Sequence, residues 1–319
     1  DIRRIRLDAG YAALRIDHRP VPHAPLSVGL EGTVDPVDFY PIDEIEVVNA
    51  SPDLEGFARR VMNNNPGTPY SQKTLTDASL DLRTTQLFRL VVLETSVASP
   101  GSLKLTADLE NGRMRSLDAS VGTWSDNPWM VRAGWTHRNL FKHGVGLDVQ
   151  GVVATHRLGA STGVFWLGWL SPRARTRTSL GFLIEDEDAY RSEEASIDIV
   201  QSFRPRNRDI WNFGIGISNT QVDEYDVDSA DEDIPETQGR LLEFWTDRKW
   251  DRTNDPLFPR QGGYFKVRLT YAPPIGFSEV PYMAAQVDGV KYLGITDDIV
   301  IATRGRIGAG EPLGDTAEI

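Results

Sequence analysis

Apolar and polar residues alternate along most of the chain from about residue 113 onward. Around residues 264–271, for example, Phe265, Val267 and Leu269 fall on one face, and Lys266 and Arg268 fall on the other. A period of two residues predicts β-strands. Similar segments recur along the rest of the chain, and they predict about eleven strands.

The two faces of these predicted strands differ in chemistry. One carries aliphatic and aromatic side chains, and the other carries charged and amide side chains interspersed with glycine. A soluble β-sandwich also alternates in this way, with its apolar face inward, and it is the commoner architecture. The polar positions are Asp118, Arg132, Asp148, Gln150, Asp198, Asn212, Lys266 and Arg268, with Gly134, Gly146, Gly214 and Gly216.

Three features favour a transmembrane barrel over a sandwich. The predicted strands are roughly 9 to 14 residues long, whereas soluble strands are usually about 5 to 6 residues long. Tryptophan and tyrosine cluster towards the strand ends, as they do at membrane interfaces. Short or basic connections such as 204–209 alternate with longer acidic ones such as 185–194 and 222–237. We therefore expect the apolar face to meet lipid.

The preceding part of the chain mixes helix and strand signals. Residues 40–112 predict a strand, helices over 52–63 and 72–87, and two further strands over 88–97 and 102–110. This is a small α+β module of β-α-α-β-β order, with Ser71 as the N-cap of its second helix. Residues 1–39 resemble the end of a preceding module, in which a helix closes at Gly10 and leads into a strand. Residues 113–319 then form the strand region.

Composition narrows the class of protein. The 319 residues include no cysteine, so disulfides and cysteine-based metal or redox sites are excluded. A net charge of −12 argues against a general nucleic-acid binder. No segment approaches the roughly 18 apolar residues of a membrane-spanning helix, so a bilayer crossing would require a closed barrel. The chain begins without methionine, and we expect it to belong to a longer protein.

Catalytic and metal-binding patterns are weak. The acidic run Asp226 to Asp233 lacks the glycine and the ligand spacing of an EF-hand, and a solvated outer loop is the expected interpretation. The five histidines show neither metal-ligand spacing nor a nucleophilic triad. We therefore predict no enzyme activity, metal or cofactor.

Exposed strand edges are the candidate functional features. An unpaired strand presents backbone N–H and C=O groups that an incoming chain can use. The first predicted barrel strand, Arg115 to Trp124, is one candidate. The alternative is that it is an ordinary barrel strand with a purely structural role. The edge strand of the α+β module, predicted over Arg89 to Val97, is the other candidate. The alternative is that it is a surface strand that binds no other chain. The predicted residues are Arg115, Leu117, Ala119, Ser120, Val121 and Gly122 in the first strand, and Leu90, Val91, Val92 and Leu93 in the second.

A constrained turn precedes the strand that contains Phe265. Pro256 and Pro259 restrict φ, and Gly262 permits a positive φ, so the segment around Asp255 predicts a rigid reversal.

Several motifs resemble known families. "YPIDEIEVVNA", "NPGTPYS" and "FRLVVLE" resemble a POTRA domain, the polypeptide-transport-associated module. "GWTHRNLF" and "WDRTNDPLFPRQGGYFKVRL" resemble the BamA/TamA superfamily of outer-membrane assembly barrels, and the first of these is closest to the TamA branch. The fold class implied is α+β POTRA modules followed by an antiparallel transmembrane β-barrel. Val37 departs from the glycine that commonly links such modules.

The resemblance also implies a length and an activity. A family barrel has sixteen strands, and this sequence stops before the Arg-Gly-Tyr or Arg-Gly-Phe loop, so about five strands are expected to lie outside it. The implied role is insertion of unfolded outer-membrane or autotransporter clients at a lateral gate, with the POTRA modules in the periplasm. Implied contacts are outer-membrane lipid, lipopolysaccharide and a TamB-like partner anchored in the inner membrane, and no nucleic acid. A two-partner secretion pore, a passive porin and a soluble β-rich binding protein are the alternatives.

Overall fold

The computed structural model describes residues 14–24, 27–36, 41–63, 66–99, 101–123, 128–206, 208–224, 237–296 and 299–313. It divides the chain into two compact units, Asp1–Met114 with Lys142–Gly144, and Arg115–Phe141 with Val145–Ile319. The predicted helix end at Gly10 and the acidic run 226–233 lie outside the described residues.

The first unit contains an antiparallel hairpin and a four-stranded sheet with two helices. Strands β1 and β2 form the hairpin, and the sheet has the order β4-β3-β6-β5, in which β3 and β6 are parallel. The two-residue β4 was not predicted, because so short a strand shows no periodicity. The elements are β1 (Leu14–Ala24), β2 (Ser27–Pro36), β3 (Pro41–Val48), α1 (Pro52–Met62), β4 (Thr68–Pro69), α2 (Gln72–Thr84), β5 (Phe88–Ser99) and β6 (Ser102–Asn111).

The helices begin where the local sequence satisfies their first backbone groups. Pro52 starts α1, where the missing N–H is not needed, and the Ser71 hydroxyl accepts a hydrogen bond from the Thr74 N–H at 3.3 Å at the start of α2. The predicted apolar faces of both helices are buried, including the fully buried Phe57 and Leu82. The periodicity of the sequence therefore located these helices correctly.

The second unit is a single antiparallel sheet of eleven strands, here called the strand sheet. Each strand pairs with its neighbour in the sequence, from β7 at one edge to β17 at the other. The predicted number of strands is confirmed, although β12 has 17 residues, more than expected. The strands are β7 (Arg115–Gly122), β8 (Met130–His137), β9 (Val145–Ala154), β10 (Arg157–Leu167), β11 (Ala174–Asp186), β12 (Tyr190–Arg206), β13 (Asp209–Glu224), β14 (Thr237–Asp251), β15 (Gln261–Ala272), β16 (Tyr282–Gly294) and β17 (Val300–Pro312).

The two faces of the strand sheet have opposite environments. On the apolar face, Leu117, Ile215 and Leu269 are 79%, 43% and 50% exposed. On the polar face, Asp148 and Asp247 are buried. A soluble sandwich would bury its apolar face instead. No helix in the described ranges is long and apolar enough to span a membrane.

Candidate functional site

Strand β7 is the first edge of the strand sheet. It pairs with β8 in a regular antiparallel register from Arg115 opposite His137 to Gly122 opposite Met130. Among the described residues, no strand lies on its other side. An edge strand of this length leaves about four N–H and about four C=O groups for an incoming chain.

The side chains of β7 continue the two faces of the sheet. Leu117, Ala119 and Val121 alternate with Ser120 and with the other polar-face positions, and Leu117 and Val121 are each 79% exposed. An added strand would extend both faces if it alternated in the same way. Gly122 is the last residue of β7, and the predicted strand end at Trp124 lies outside the described residues.

Strand β5 is an edge of the four-stranded sheet, as predicted from the sequence. Among the described residues it pairs only with β6, with Val91 opposite Leu109 and Leu93 opposite Ala107. Val91 is buried, and Leu93 packs against the core of the unit. Of the predicted edge residues, these two support the fold, whereas Leu90 is 43% exposed. A strand added at this edge would therefore pair through the backbone of β5.

Two arginines near the edges of this sheet were missed in the sequence. Arg83 of α2 donates a hydrogen bond from Nη2 to the Val91 carbonyl of β5 at 2.9 Å. Arg59 of α1 donates from Nη1 to the Ile45 carbonyl of β3 at 2.8 Å. Each helix thus occupies one backbone acceptor of the sheet. No local sequence signal marks such pairs, because the partners meet only after the helices pack.

The turn between β14 and β15 is organised by two side chains. One carboxylate oxygen of Asp255 accepts the N–H groups of Leu257 and Phe258 at 2.7 and 2.8 Å. The Asn254 side-chain oxygen accepts the N–H groups of Arg260 and Gln261 at 2.9 Å each. The hydrogen bonds from the Phe258 and Leu257 amides hold the pKa of Asp255 below its ordinary value.

The predicted glycine and prolines shape the backbone of this turn. Gly262 has a φ of +89°, and a Cβ atom there would lie 2.0 Å from the Arg252 carbonyl oxygen. Only glycine fits this backbone. Pro256 and Pro259 flank an apolar tip formed by Leu257 and Phe258, which are both 79% exposed. The sequence therefore identified a turn whose shape depends on glycine.

The polar face of the strand sheet carries ion pairs between strands. Asp148 of β9 is paired with Arg177 of β11 at 2.6 Å, and Asp288 of β16 is paired with Arg304 of β17 at 2.6 Å. Both carboxylates are almost fully buried, so these pairs satisfy charges that would otherwise be costly to bury. In the described ranges, no group of three or more His, Asp or Glu residues is arranged to hold a metal ion.

A long antiparallel sheet with an exposed apolar face and an ion-paired opposite face defines the class of outer-membrane barrel proteins. A family model described as the Omp85 superfamily domain matches residues 139–319, so the chain belongs to the Omp85 superfamily. This family and its barrel fold indicate localisation in the outer membrane. No curated protein matches the sequence significantly.

Solved structures show the same fold at low sequence identity. BamA from Haemophilus ducreyi lacking POTRA domains 1-3 is 16% identical with a TM-score of 0.73, covering 98% of this chain and 63% of that one. CdiB from Acinetobacter baumannii is 12% identical with a TM-score of 0.56, covering 96% and 58%. CdiB from Escherichia coli is 13% identical with a TM-score of 0.61, covering 96% and 60%. The chain thus spans about three fifths of these structures, and its sheet is a partial barrel.

Proposed function

We propose that this protein is an assembly factor that inserts β-barrel or autotransporter clients into the outer membrane. In this proposal, an unfolded client adds a strand to β7, the first strand of the sheet, by β-augmentation. The observation that carries it is β7 itself, the first strand of the sheet, which pairs with β8 along its whole length. Its alternating, exposed side chains offer an incoming amphipathic strand a matching surface.

The first unit is proposed to be a POTRA-like module in the periplasm that docks clients or a TamB-like partner at β5. The unit combines two helices with a mixed sheet, and β5 is an edge of that sheet. Residues 1–39 are proposed to be the end of a preceding module. The "GWTHRNLF" run favours a TamA-like member of the superfamily. Lipid and lipopolysaccharide are the proposed surroundings of the strand sheet.

A two-partner secretion pore is the alternative function. The likeness to CdiB and the charged, ion-paired polar face both favour it, because a translocated chain would pass along that face. The two functions predict different contacts for a client: the edge of β7 for assembly, and the polar face for secretion. A passive porin is less favoured, since diffusion requires no attached α/β unit.

Disulfide cross-linking in the full-length protein distinguishes these functions. Ala119 of β7 and Ala133 of β8 lie directly opposite each other on the same face, and the sequence contains no cysteine. Ala119→Cys therefore probes the edge strand, and Ala133→Cys is a control one strand further in. Gln150 is exposed on the polar face of β9, so Gln150→Cys probes that face. A stalled client carrying single cysteines in its terminal strand is the partner.

Assembly predicts cross-links at Ala119→Cys that depend on the register of the client cysteine, with little reaction at the other two positions. Cross-links mainly at Gln150→Cys would contradict assembly and support the pore. A second arm locks β7 by a disulfide to the closing strand of the full-length barrel. Client insertion should stop and recover on reduction, whereas a pore should tolerate the lock.

A further inference from the structure

An arginine whose Nε atom has no hydrogen-bond acceptor among the described residues lies on the apolar face of the strand sheet. Arg248 of β14 shares this face with Thr246 and Trp250, whereas Asp247 lies on the opposite, polar face and is buried. The Nε atom of Arg248 is buried and has no hydrogen-bond partner in the described part of the protein. An unpaired cation on a face that meets lipid is energetically unfavourable. An anion bound from outside the protein would compensate the charge of Arg248.

Two indole rings hold this guanidinium in place. Its central carbon lies 5.2 Å from the centre of the Trp211 ring and 4.7 Å from that of the Trp250 ring. The Trp211 N–H donates to the Thr246 hydroxyl at 3.0 Å, and Trp250 packs against Phe265 with ring centres 5.8 Å apart. Cation–π contacts orient the arginine but accept none of its hydrogen bonds. The Nη donors thus remain available to an acceptor outside the protein, whereas the buried Nε is out of its reach.

The position along the strand indicates the depth of this site. Arg248 is three residues, or about 10 Å, from the end of β14, and the turn that follows is the one around Asp255. The superfamily resemblance assigns that turn to the periplasmic side. Tryptophan pairs at such a level are typical of the boundary between hydrocarbon and headgroups. The ligand should therefore carry its negative charge at the headgroup level of the periplasmic leaflet.

An apolar groove lies on the same face, one to two residue pairs further towards the middle of the strands. It has a volume of about 460 Å³, and its lining includes Ile199, Phe213, Ile215, Phe244, Leu269 and Tyr271. Phe213 follows Trp211 on this face of β13, and Phe244 precedes Thr246 on this face of β14. The groove and the guanidinium together suit one amphiphile with an anionic head and an acyl chain.

We propose that Arg248, Trp211 and Trp250 bind the phosphate of a glycerophospholipid from the periplasmic leaflet, and that an acyl chain of this lipid lies in the adjacent groove. The guanidinium donates to the phosphate oxygens, and the indoles hold it at the correct depth. The site depends on the membrane placement of this face but not on the handling of clients. Its failure would therefore leave the proposed assembly function untouched.

Native mass spectrometry of the full-length protein in a non-ionic detergent tests the proposal, with phosphatidylglycerol as the probe. Arg248→Gln should weaken lipid binding by about tenfold or more, because a charge-assisted hydrogen bond is lost. Lys291→Gln is the matched control. Lys291 lies opposite Gly263 at the same end and on the same face, and its substitution removes the same charge. Heat-modifiable gel mobility verifies that each variant is folded.

Two further arms identify the ligand. Diacylglycerol, which lacks the phosphate, should bind the original protein about as weakly as phosphatidylglycerol binds Arg248→Gln. Inorganic phosphate should not displace the lipid. Equal lipid binding by folded Arg248→Gln, an equal loss in Lys291→Gln, or displacement by inorganic phosphate would each overturn the site. If Arg248→Gln fails to fold, Trp250→Leu takes its place, and it too should weaken phosphatidylglycerol binding but not diacylglycerol binding.

Discussion

Glycines on the polar face of the strand sheet make room for large side chains of the neighbouring strand. A Cβ atom at Gly214 would lie 2.1 Å from the indole of Trp245. Trp245 is itself held against the guanidinium of Arg268 at 5.0 Å. The ring therefore has limited freedom to move away from a larger residue at position 214.

Gly214→Ala should destabilise the barrel by about 1–3 kcal/mol, because the added methyl group displaces a packed ring. Gly239→Ala is the control, since nothing lies within 4 Å of its Cβ position. Its effect should be within about 0.5 kcal/mol. Unfolding of the full-length protein in denaturant, followed by heat-modifiable gel mobility, measures both. Equal stability of the two variants would contradict the packing argument.

The carboxylate of Asp255 makes the turn before β15 sensitive to acid. Its folded-state pKa lies below the ordinary value of 3.8, because the ionised form accepts two backbone N–H groups. The stabilisation is thus complete above about pH 3.8 and is lost as the pH falls through the lower, folded-state pKa.

Asp255→Ala should increase amide hydrogen exchange across residues 252–263 at about pH 6, and this difference should be smaller at about pH 2.5. Mass spectrometry of that peptide, compared between the two proteins at each pH, provides the measurement. Asp188→Ala, in the turn between β11 and β12, should leave the peptide unchanged at both pH values. An undiminished difference at about pH 2.5 would show that the carboxylate charge is not responsible.

At the scale of elements, β5 is an edge strand among the described residues and is the second place proposed for a client or partner. Val97 near the end of this strand is 70% exposed, and lysine is a residue by which natural edge strands discourage pairing. Val97→Lys should lower client cross-linking to the first unit by about two- to fivefold, without loss of stability.

Thr76→Lys is the control for that substitution, because it adds the same charge to the exposed surface of α2. Cross-linking yields in the full-length protein, normalised to the amount folded, measure both variants. Equal yields for Val97→Lys and the original protein would argue that β5 is a surface strand without a client.

For the whole molecule, the alternating direction of the strands places each connection at one of the two ends of the sheet. The turn containing Leu257 and the turn containing Ala189 follow strands of opposite direction, β14 and β11. We expect the first to face the periplasm and the second to face outward. The acidic residues 226–236, which we also expect to face outward, lie outside the described residues.

Cysteine labelling tests this topology. On intact cells, an impermeant maleimide should modify Ala189→Cys and spare Leu257→Cys, which is 79% exposed in the folded turn. Permeabilised cells should label both, which controls for reactivity. The reverse pattern on intact cells would invert the assigned orientation.

The strands of the strand sheet could be predicted from the sequence alone. Alternation in segments such as 264–271 identified eleven strands and their two faces, because the side-chain period is a local property of an extended backbone. The glycine at position 262 and the cap at Ser71 were also visible locally, since each acts on neighbouring backbone groups.

Other features required the folded chain, because they join residues far apart in sequence. Neither the pairing of Asp148 with Arg177 nor the fit of Trp245 over Gly214 follows from any local period. Strand register decides which side chains meet, and register depends on the pairing of whole strands. The arginine between Trp211 and Trp250 arose in this way, as two strands brought a cation and two rings together on a face that alternation alone marks as apolar.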